Sequence, residues 1–222
     1  MVRIYRFVQK ILLNNHMERY AILSKATYSD NPMNTMERFH RYTANLRILP
    51  QYSNRDMLTV SDGNSVQMDH LNVIVAIRGT DKENVKGSLM RDLINNYSIA
   101  INKNERIPRI IEVEKVINQI IHAGVQKNNI ILTGHSLGAY VAAKISKDMG
   151  IRAVVFNIAS SIADDKTDKN HLLTHYTTNN FYRGIIDPLS ITSVLRDDYD
   201  TYIVKRKYDT NTHSIENFIP VV

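Results

Sequence analysis

Hydrophobic and polar positions follow one another along this chain in patterns that predict alternating strands and helices. Leu71 to Ile77 reads LNVIVAI, and such an unbroken apolar, β-branched run is typical of a strand buried on both faces of a mostly parallel sheet. Pro108 begins a stretch with one apolar stripe at helical spacing, formed by Ile110, Val113, Ile117, Ile120 and Ile121. A second apolar run, Ile130 to Leu132, passes into helix-forming residues that end at Gly150. This central part predicts a strand-helix-strand-helix unit.

The remaining patterns extend the same architecture in both directions. Helices are predicted over 16–28, 33–45 and 89–97, and strands over 57–60, 65–68, 153–158, 181–186 and 202–205. Asp62-Gly63 between the first two of these strands is a hairpin signal, so we expect antiparallel edge strands at the N-terminal side. We predict an α/β fold with a mostly parallel central sheet. We expect residues 1–222 to form a single domain, with residues 1–45 as a helical segment packed on it.

The first residues suggest an amphipathic helix. Ile4, Phe7, Val8 and Ile11 recur at helical spacing with basic residues between them. The stretch is too short and too charged to span a bilayer, and it lacks the apolar region of a signal peptide. We therefore expect a helix that packs on the domain rather than a membrane-surface anchor, and a cytoplasmic protein.

Composition and charge exclude some classes of function. The chain has no cysteine, so disulfides, thiol catalysis and cysteine metal sites are excluded. The formal net charge is +6, and residues 1–60 carry nine Lys/Arg against four Asp/Glu. The chain contains no basic run interleaved with aromatic residues, a pattern that would indicate nucleic-acid binding. An ordinary solvated surface explains the excess of basic residues. Peripheral contact with an anionic membrane surface stays open, and the sequence leaves the oligomeric state unknown.

The strongest chemical signal is Gly134-His135-Ser136-Leu137-Gly138, a G-x-S-x-G motif between a predicted strand and a predicted helix. In such a turn the serine backbone is strained and its hydroxyl is exposed as a nucleophile, while the flanking glycines avoid steric clashes. In the simpler alternative, Ser136 caps the helix and the glycines only allow close packing. The flanking strand and helix favour the nucleophile, and His135 is expected to pack beneath the turn.

A nucleophilic serine needs a histidine base oriented by a carboxylate, and in α/β-hydrolases these follow the serine in the order acid, then histidine. Asp187 lies just past a predicted strand, and His213 lies in a late loop. Asp187 could instead cap a turn before Pro188, and His213 could be a surface histidine. The fallback pairing is His175 with Asp164 or Asp165.

Four motifs in this order resemble the class 3 lipases, the fungal-lipase-like branch of α/β-hydrolases. They are Arg78-Gly79-Thr80 after an apolar strand, Gly134 to Gly138, Asp187-Pro188-Leu189, and His213 followed by Phe218. The resemblance covers roughly residues 18–219. It implies a serine ester hydrolase acting on lipid acyl esters, with Ser136, His213 and Asp187 as triad. It also implies that the Thr80 and Leu137 N–H groups form the oxyanion hole, that the substrate is a lipid or small ester, and that no cofactor or metal is required.

The chain departs from the family pattern in two places. Residues 81–88 read DKENVKGS, a polar stretch where family lipases carry an apolar lid, and the interval from Asp187 to His213 is short. The first departure favours a soluble carboxylesterase or thioesterase as an alternative. A catalytically retired hydrolase fold that binds lipid or protein is a further alternative, although such a module would need no complete set of triad and oxyanion residues.

Overall fold

The computed structural model describes residues 17–63, 67–80, 108–159, 170–178, 200–205, 207 and 212–221. In these residues a seven-stranded sheet has its strands in chain order. The strands are β1 (Leu46–Ile48), β2 (Met57–Asp62), β3 (Asn72–Ile77), β4 (Ile130–His135), β5 (Arg152–Phe156), β6 (Leu173–Thr177) and β7 (Asp200–Ile203). The helices are α1 (17–26), α2 (Pro32–Arg38), α3 (His40–Thr43), α4 (Pro108–His122) and α5 (Leu137–Met149).

The sheet is antiparallel at one end and parallel over the rest. β2 runs antiparallel to both β1 and β3, whereas each neighbouring pair from β3 to β7 is parallel. The expected antiparallel edge at the N-terminal side is therefore confirmed. Because β3 to β6 are parallel neighbours, their carboxyl ends meet at one edge of the sheet, where open α/β sheets carry their ligand sites.

Helices cover both faces of the sheet, which explains the apolar run in β3. Val73, Val75 and Ile77 pack into one core with α4 and α5. Ile74 and Ala76 alternate with them and pack into a second core with α1 and α2. Since successive side chains of a strand point to opposite faces, a strand covered on both sides is apolar at nearly every position. The predicted buried strand is confirmed, and the fold is α/β, compatible with that of the α/β-hydrolases.

Several local predictions are also confirmed. α4 begins at Pro108 and buries the predicted stripe at Ile110, Val113, Ile117 and Ile120, while Ile121 is partly buried and Val116 completes the buried set. α5 ends at Gly150, whose φ of 62° and ψ of 45° are the left-handed conformation that glycine adopts readily at a helix end.

Some predicted elements differ from the structure. Gln67 and Met68 were predicted as strand, but Met68–His70 forms a 3₁₀ turn, and β2 pairs instead with β1 and β3. β1 and β6 were not predicted. The predicted helices over residues 1–13 and 89–97, and the predicted strand over 181–186, lie outside the described residues. Within the described residues, no helix is long and apolar enough to cross a bilayer.

Candidate active site

Ser136 occupies a sharp turn at the carboxyl end of β4. Its φ is 58° and its ψ is −120°, a conformation that costs a side-chain-bearing residue energy. Three main-chain hydrogen bonds hold the turn: the Ser136 N–H donates to the Phe156 carbonyl at 3.1 Å, and the Ser136 carbonyl accepts from the N–H groups of Tyr140 and Ala159 at 3.1 and 3.2 Å. The strained backbone is therefore fixed by β5 on one side and α5 on the other.

Two glycines make this turn possible, as the motif predicts. A Cβ on Gly134 would lie 2.5 Å from the carbonyl carbon and oxygen of Gly138. A Cβ on Gly138 would lie 2.1 Å from the carbonyl oxygen of Ile77. Both distances are far below van der Waals contact, so a side chain at either position would push α5 away from β4 or from the end of β3.

His213 is in hydrogen-bond contact with Ser136. Its Nε2 lies 2.7 Å from the Ser136 Oγ, and both residues are buried, with 3% and 5% of their surfaces exposed. A neutral imidazole whose Nε2 accepts from a hydroxyl is the arrangement in which a histidine can remove the proton of that hydroxyl. Water has little access to either group at this position.

The loop that carries His213 is tied to the end of the sheet through the carbonyl of Thr212. This carbonyl accepts hydrogen bonds from Asn157 Nδ2 at 3.1 Å and from the Thr178 hydroxyl. Asn157 itself has a φ of 42° and is fully buried. Its Oδ1 accepts from the Thr178 N–H and the Thr177 hydroxyl, both at 3.2 Å. The residues directly after β5 and β6 thus hold the loop that carries His213.

The residues after His213 are anchored to the opposite end of the chain. They form a 3₁₀ turn, Ile215–Phe218, in which the Phe218 ring lies 5.1 Å from that of Phe156. Glu216 forms an ion pair with Lys25 of α1, and its carbonyl accepts from Lys207 Nζ at 2.7 Å. Burial lowers the pKa of Lys207. These contacts keep the loop against the α1 face of the sheet.

Arg78-Gly79-Thr80 runs beside the serine turn. Gly79 is packed so tightly that a Cβ there would lie 2.5 Å from the His135 carbonyl. Both the N–H and the carbonyl of the Arg78 main chain are hydrogen-bonded. The N–H donates to the Asp56 carbonyl at 2.9 Å, and the carbonyl accepts from Arg109 Nη1 at 3.1 Å. Thr80, which follows, is half-buried. This part of the chain therefore lies at the edge of the site.

Leu137 is the first residue of α5. The N–H groups of the first helical turn have no partner within the helix and carry the positive end of its dipole. Leu137 is half-buried, and its N–H follows directly on the strained serine. A helix terminus at this position can stabilise negative charge that develops beside Ser136.

The other predicted site residues have different positions. Asp187, Asp164 and Asp165 lie outside the described residues. His175 is in β6, where its ring is fully buried and its Nε2 accepts from the Ile158 N–H at 3.3 Å. His171 is exposed in the turn before β6. The histidine hydrogen-bonded to Ser136 is thus His213, the one selected by chain order.

No sequence pattern predicted that Asn157, Thr178 or Tyr28, whose hydroxyl lies 3.1 Å from His135 Nδ1, would be part of the site. Asn157 and Thr178 are polar residues just beyond the carboxyl ends of parallel strands, which is the signal that could have identified them. Tyr28 follows α1, and no local sequence pattern marks it, because only the folded structure brings it to the site. Among the described residues, no cluster of three or more His, Asp or Glu could hold a metal ion.

Comparison with known proteins gives a limited match. Residues 82–188 are similar to an uncharacterised protein family, UPF0227. The matched region covers just under half of the chain and contains both Ser136 and Asp187, whereas Thr80 and His213 lie outside it. No curated protein matches the chain. The fold and this similarity are compatible with a hydrolase, but they do not single out the class 3 lipases.

Proposed function

We propose that this protein is a serine ester hydrolase in which Ser136 is the nucleophile and His213 is the general base. The observation that carries the proposal is the 2.7 Å hydrogen bond from the Ser136 Oγ to the His213 Nε2, on a serine whose φ is 58°. A serine hydroxyl is a weak nucleophile unless a base accepts its proton. A helix cap would need neither a buried imidazole at that distance nor a strained backbone.

The geometry supports a two-step acyl transfer. His213 Nε2 takes the hydroxyl proton as the Ser136 Oγ forms a bond to the ester carbonyl carbon. The resulting tetrahedral intermediate collapses, the bond to the alcohol oxygen breaks, and His213 returns the proton to the departing alcohol. Water then attacks the acyl-enzyme by the same route, and the carboxylic acid is released.

Negative charge on the carbonyl oxygen needs donors fixed in advance. We assign this role to the N–H groups of Thr80 and Leu137. Support for Thr80 comes from the tightly packed Arg78-Gly79 segment beside the turn. Support for Leu137 comes from its position at the start of α5. Removing one such donor from a hydrolase typically costs about 10²–10³ in kcat.

Asp187 is our proposal for the carboxylate that orients His213. The argument rests on chain order, since the acid lies between the serine and the histidine in α/β-hydrolases, and on the expected position of Asp187 after a strand. A test is the variant Asp187→Asn, which should reduce kcat by about 10⁴ without lowering stability. Activity within tenfold of wild type would require another acid.

We propose acyl esters of lipids as the substrate class. The sequence between Asp81 and Ser88 contains Val85 as its one large apolar residue. This favours activity on dispersed esters rather than at an oil surface, and it keeps a soluble carboxylesterase or thioesterase as the second candidate. Hydrolysis rates on matched oxygen esters and thioesters of increasing chain length distinguish these substrates.

The decisive experiment is labelling of the full chain with a fluorophosphonate probe, followed by peptide mapping. We expect one labelled residue, Ser136, and no labelling of Ser136→Ala or His213→Ala. Ser136→Ala removes one oxygen and no packing, so its fold should be unchanged by circular dichroism. Wild-type protein that is folded yet neither labelled nor active on p-nitrophenyl esters would refute the proposal, as would full activity of Ser136→Ala.

A further inference from the structure

His135 touches both the nucleophile and the base, although the proposed reaction gives it no role. It precedes Ser136 in the chain, and its ring is 3% exposed. Its Nε2 lies 2.6 Å from the main-chain carbonyl oxygen of His213. The rings of His135 and His213 are 4.9 Å apart and tilted by 47°. The two histidines therefore form one buried unit beside Ser136.

The hydrogen bonds determine the form of the His135 ring. A carbonyl oxygen only accepts, so the proton must be on Nε2. The other ring nitrogen, Nδ1, lies 3.1 Å from the Tyr28 hydroxyl, which donates to it when the imidazole is neutral. Tyr28 meets the ring edge-on, with centroids 6.1 Å apart, and the Arg78 guanidinium lies over the Tyr28 ring. The His213 carbonyl thus selects the tautomer, and the Tyr28 hydroxyl matches it by donating to Nδ1.

Hydrogen bonds from buried residues hold two successive carbonyls of the loop that carries His213. The Thr212 carbonyl is held by Asn157 and Thr178, and the His213 carbonyl is held by His135. Holding only the first would leave the peptide group between His213 and Ser214 able to turn about the N–Cα and Cα–C bonds of His213, because only these main-chain bonds rotate freely. The hydrogen bond from His135 fixes this second peptide group, and with it the direction in which the imidazole leaves the backbone.

We propose that His135 is a positioning residue: its Nε2–H, oriented by the Tyr28 hydroxyl, fixes the main chain of His213 so that the base meets Ser136. This role rests on the proposed function of Ser136 and His213. It links the positions of nucleophile and base, because the same residue is bonded covalently to one and by a hydrogen bond to the other. A displacement of about 1 Å at such a pair can cost about 10²-fold in rate.

The proposal is tested with His135→Phe, which keeps a ring but loses the donor, and His135→Gln, which keeps an N–H donor near the position of Nε2. We expect His135→Phe to lower kcat for a p-nitrophenyl ester by about 10²-fold while KM changes by less than about twofold. His135→Gln should recover kcat to within about tenfold of wild type. Surface residue His171 supplies the matched control His171→Phe, which should behave as wild type.

A histidine that only fills space would give a different result. His135→Phe would then lower the unfolding temperature but leave kcat per fluorophosphonate-titrated site unchanged, and His135→Gln would give no better recovery than His135→Phe. Either finding overturns the positioning role. The proposed function is judged separately, by Ser136→Ala: if that variant is inactive while His135→Phe keeps its full kcat, the hydrolase stands and the positioning role fails.

Tyr28→Phe provides a milder test that removes one hydroxyl and keeps the ring beneath Arg78. We expect kcat to fall by about 3- to 10-fold, the equivalent of one lost neutral hydrogen bond, with KM unchanged. If His135→Phe does not fold, this variant and His135→Gln decide. Wild-type kcat in Tyr28→Phe, together with loss of activity in folded His135→Gln, would overturn the positioning role.

Discussion

Because the Ser136 backbone is strained, we expect the glycine variant at this position to be more stable than the alanine variant, the reverse of the usual order. Both variants lose the Oγ and its hydrogen bond with His213, so comparing them isolates the backbone. At φ 58° and ψ −120° a Cβ is strained, at a cost of about 1–3 kcal/mol. Glycine adopts this conformation freely but loses about 0.5–1 kcal/mol more than alanine through the entropy of the unfolded chain.

The difference between these terms favours glycine. We expect Ser136→Gly to be more stable than Ser136→Ala by up to about 2.5 kcal/mol, and each 1 kcal/mol corresponds to about 2–4 °C in Tm for a chain of this size. The control is the same pair at Lys144, an exposed α5 position whose ion pair with Asp148 is lost in both variants. In the helix interior glycine should be less stable than alanine by about 1 kcal/mol.

The measurement is urea unfolding followed by far-UV circular dichroism, with all four variants fitted for the free energy of unfolding and for m. Opposite signs at the two positions are the expected result. If glycine is the less stable residue at 136 as well as at 144, the serine backbone is not strained. A strained backbone then no longer distinguishes Ser136 from an ordinary helix cap, whatever the activity of the protein.

Other consequences can be tested separately. Gly138→Ala should destabilise the fold by about 3 kcal/mol in the same urea assay, because its Cβ would lie 2.1 Å from the Ile77 carbonyl oxygen; a loss below about 1 kcal/mol would contradict this packing. On short-chain esters we expect activity that shows no jump as the substrate passes its critical micelle concentration, whereas sharp activation on a triolein emulsion would contradict the proposed behaviour at surfaces. Because residues 1–60 carry an excess of Lys and Arg, we propose that the protein binds vesicles containing anionic phospholipid better than zwitterionic vesicles and that salt weakens this preference. Cosedimentation measures the binding, and binding that is indifferent to lipid charge and salt would refute the proposal.

Sequence patterns predicted the centre of this fold well, for a physical reason. β3 and β4 are covered on both faces, so burial requires apolar residues at nearly every position and the pattern becomes unmistakable. The turn at Ser136 requires glycine at fixed distances because added side chains would meet main-chain atoms. Where steric limits are this strict, few residue types are possible, and the sequence identifies the geometry.

β6 shows why other parts were missed. Its buried positions include His175 and Thr177, polar residues that form hydrogen bonds with Ile158 and Asn157 in the core and hide the apolar alternation. β1 is three residues long, too short for any periodicity. The contact between Tyr28 and His135 joins residues 107 positions apart, and no local pattern encodes such a pairing.

The order of the strands has a consequence for how activity arises during synthesis. Because each strand pairs with the next one in the chain, the sheet can grow from its N-terminal edge as the polypeptide leaves the ribosome. The serine turn can then form once β5 has emerged, long before the residues around His213 have been synthesised. His213 joins it only when the loop is docked through Phe218 and through the ion pair from Glu216 back to Lys25. A nascent chain ending at Thr178 would thus hold Ser136 without His213, and under the proposed function ester hydrolysis would appear only in chains that extend beyond residue 218.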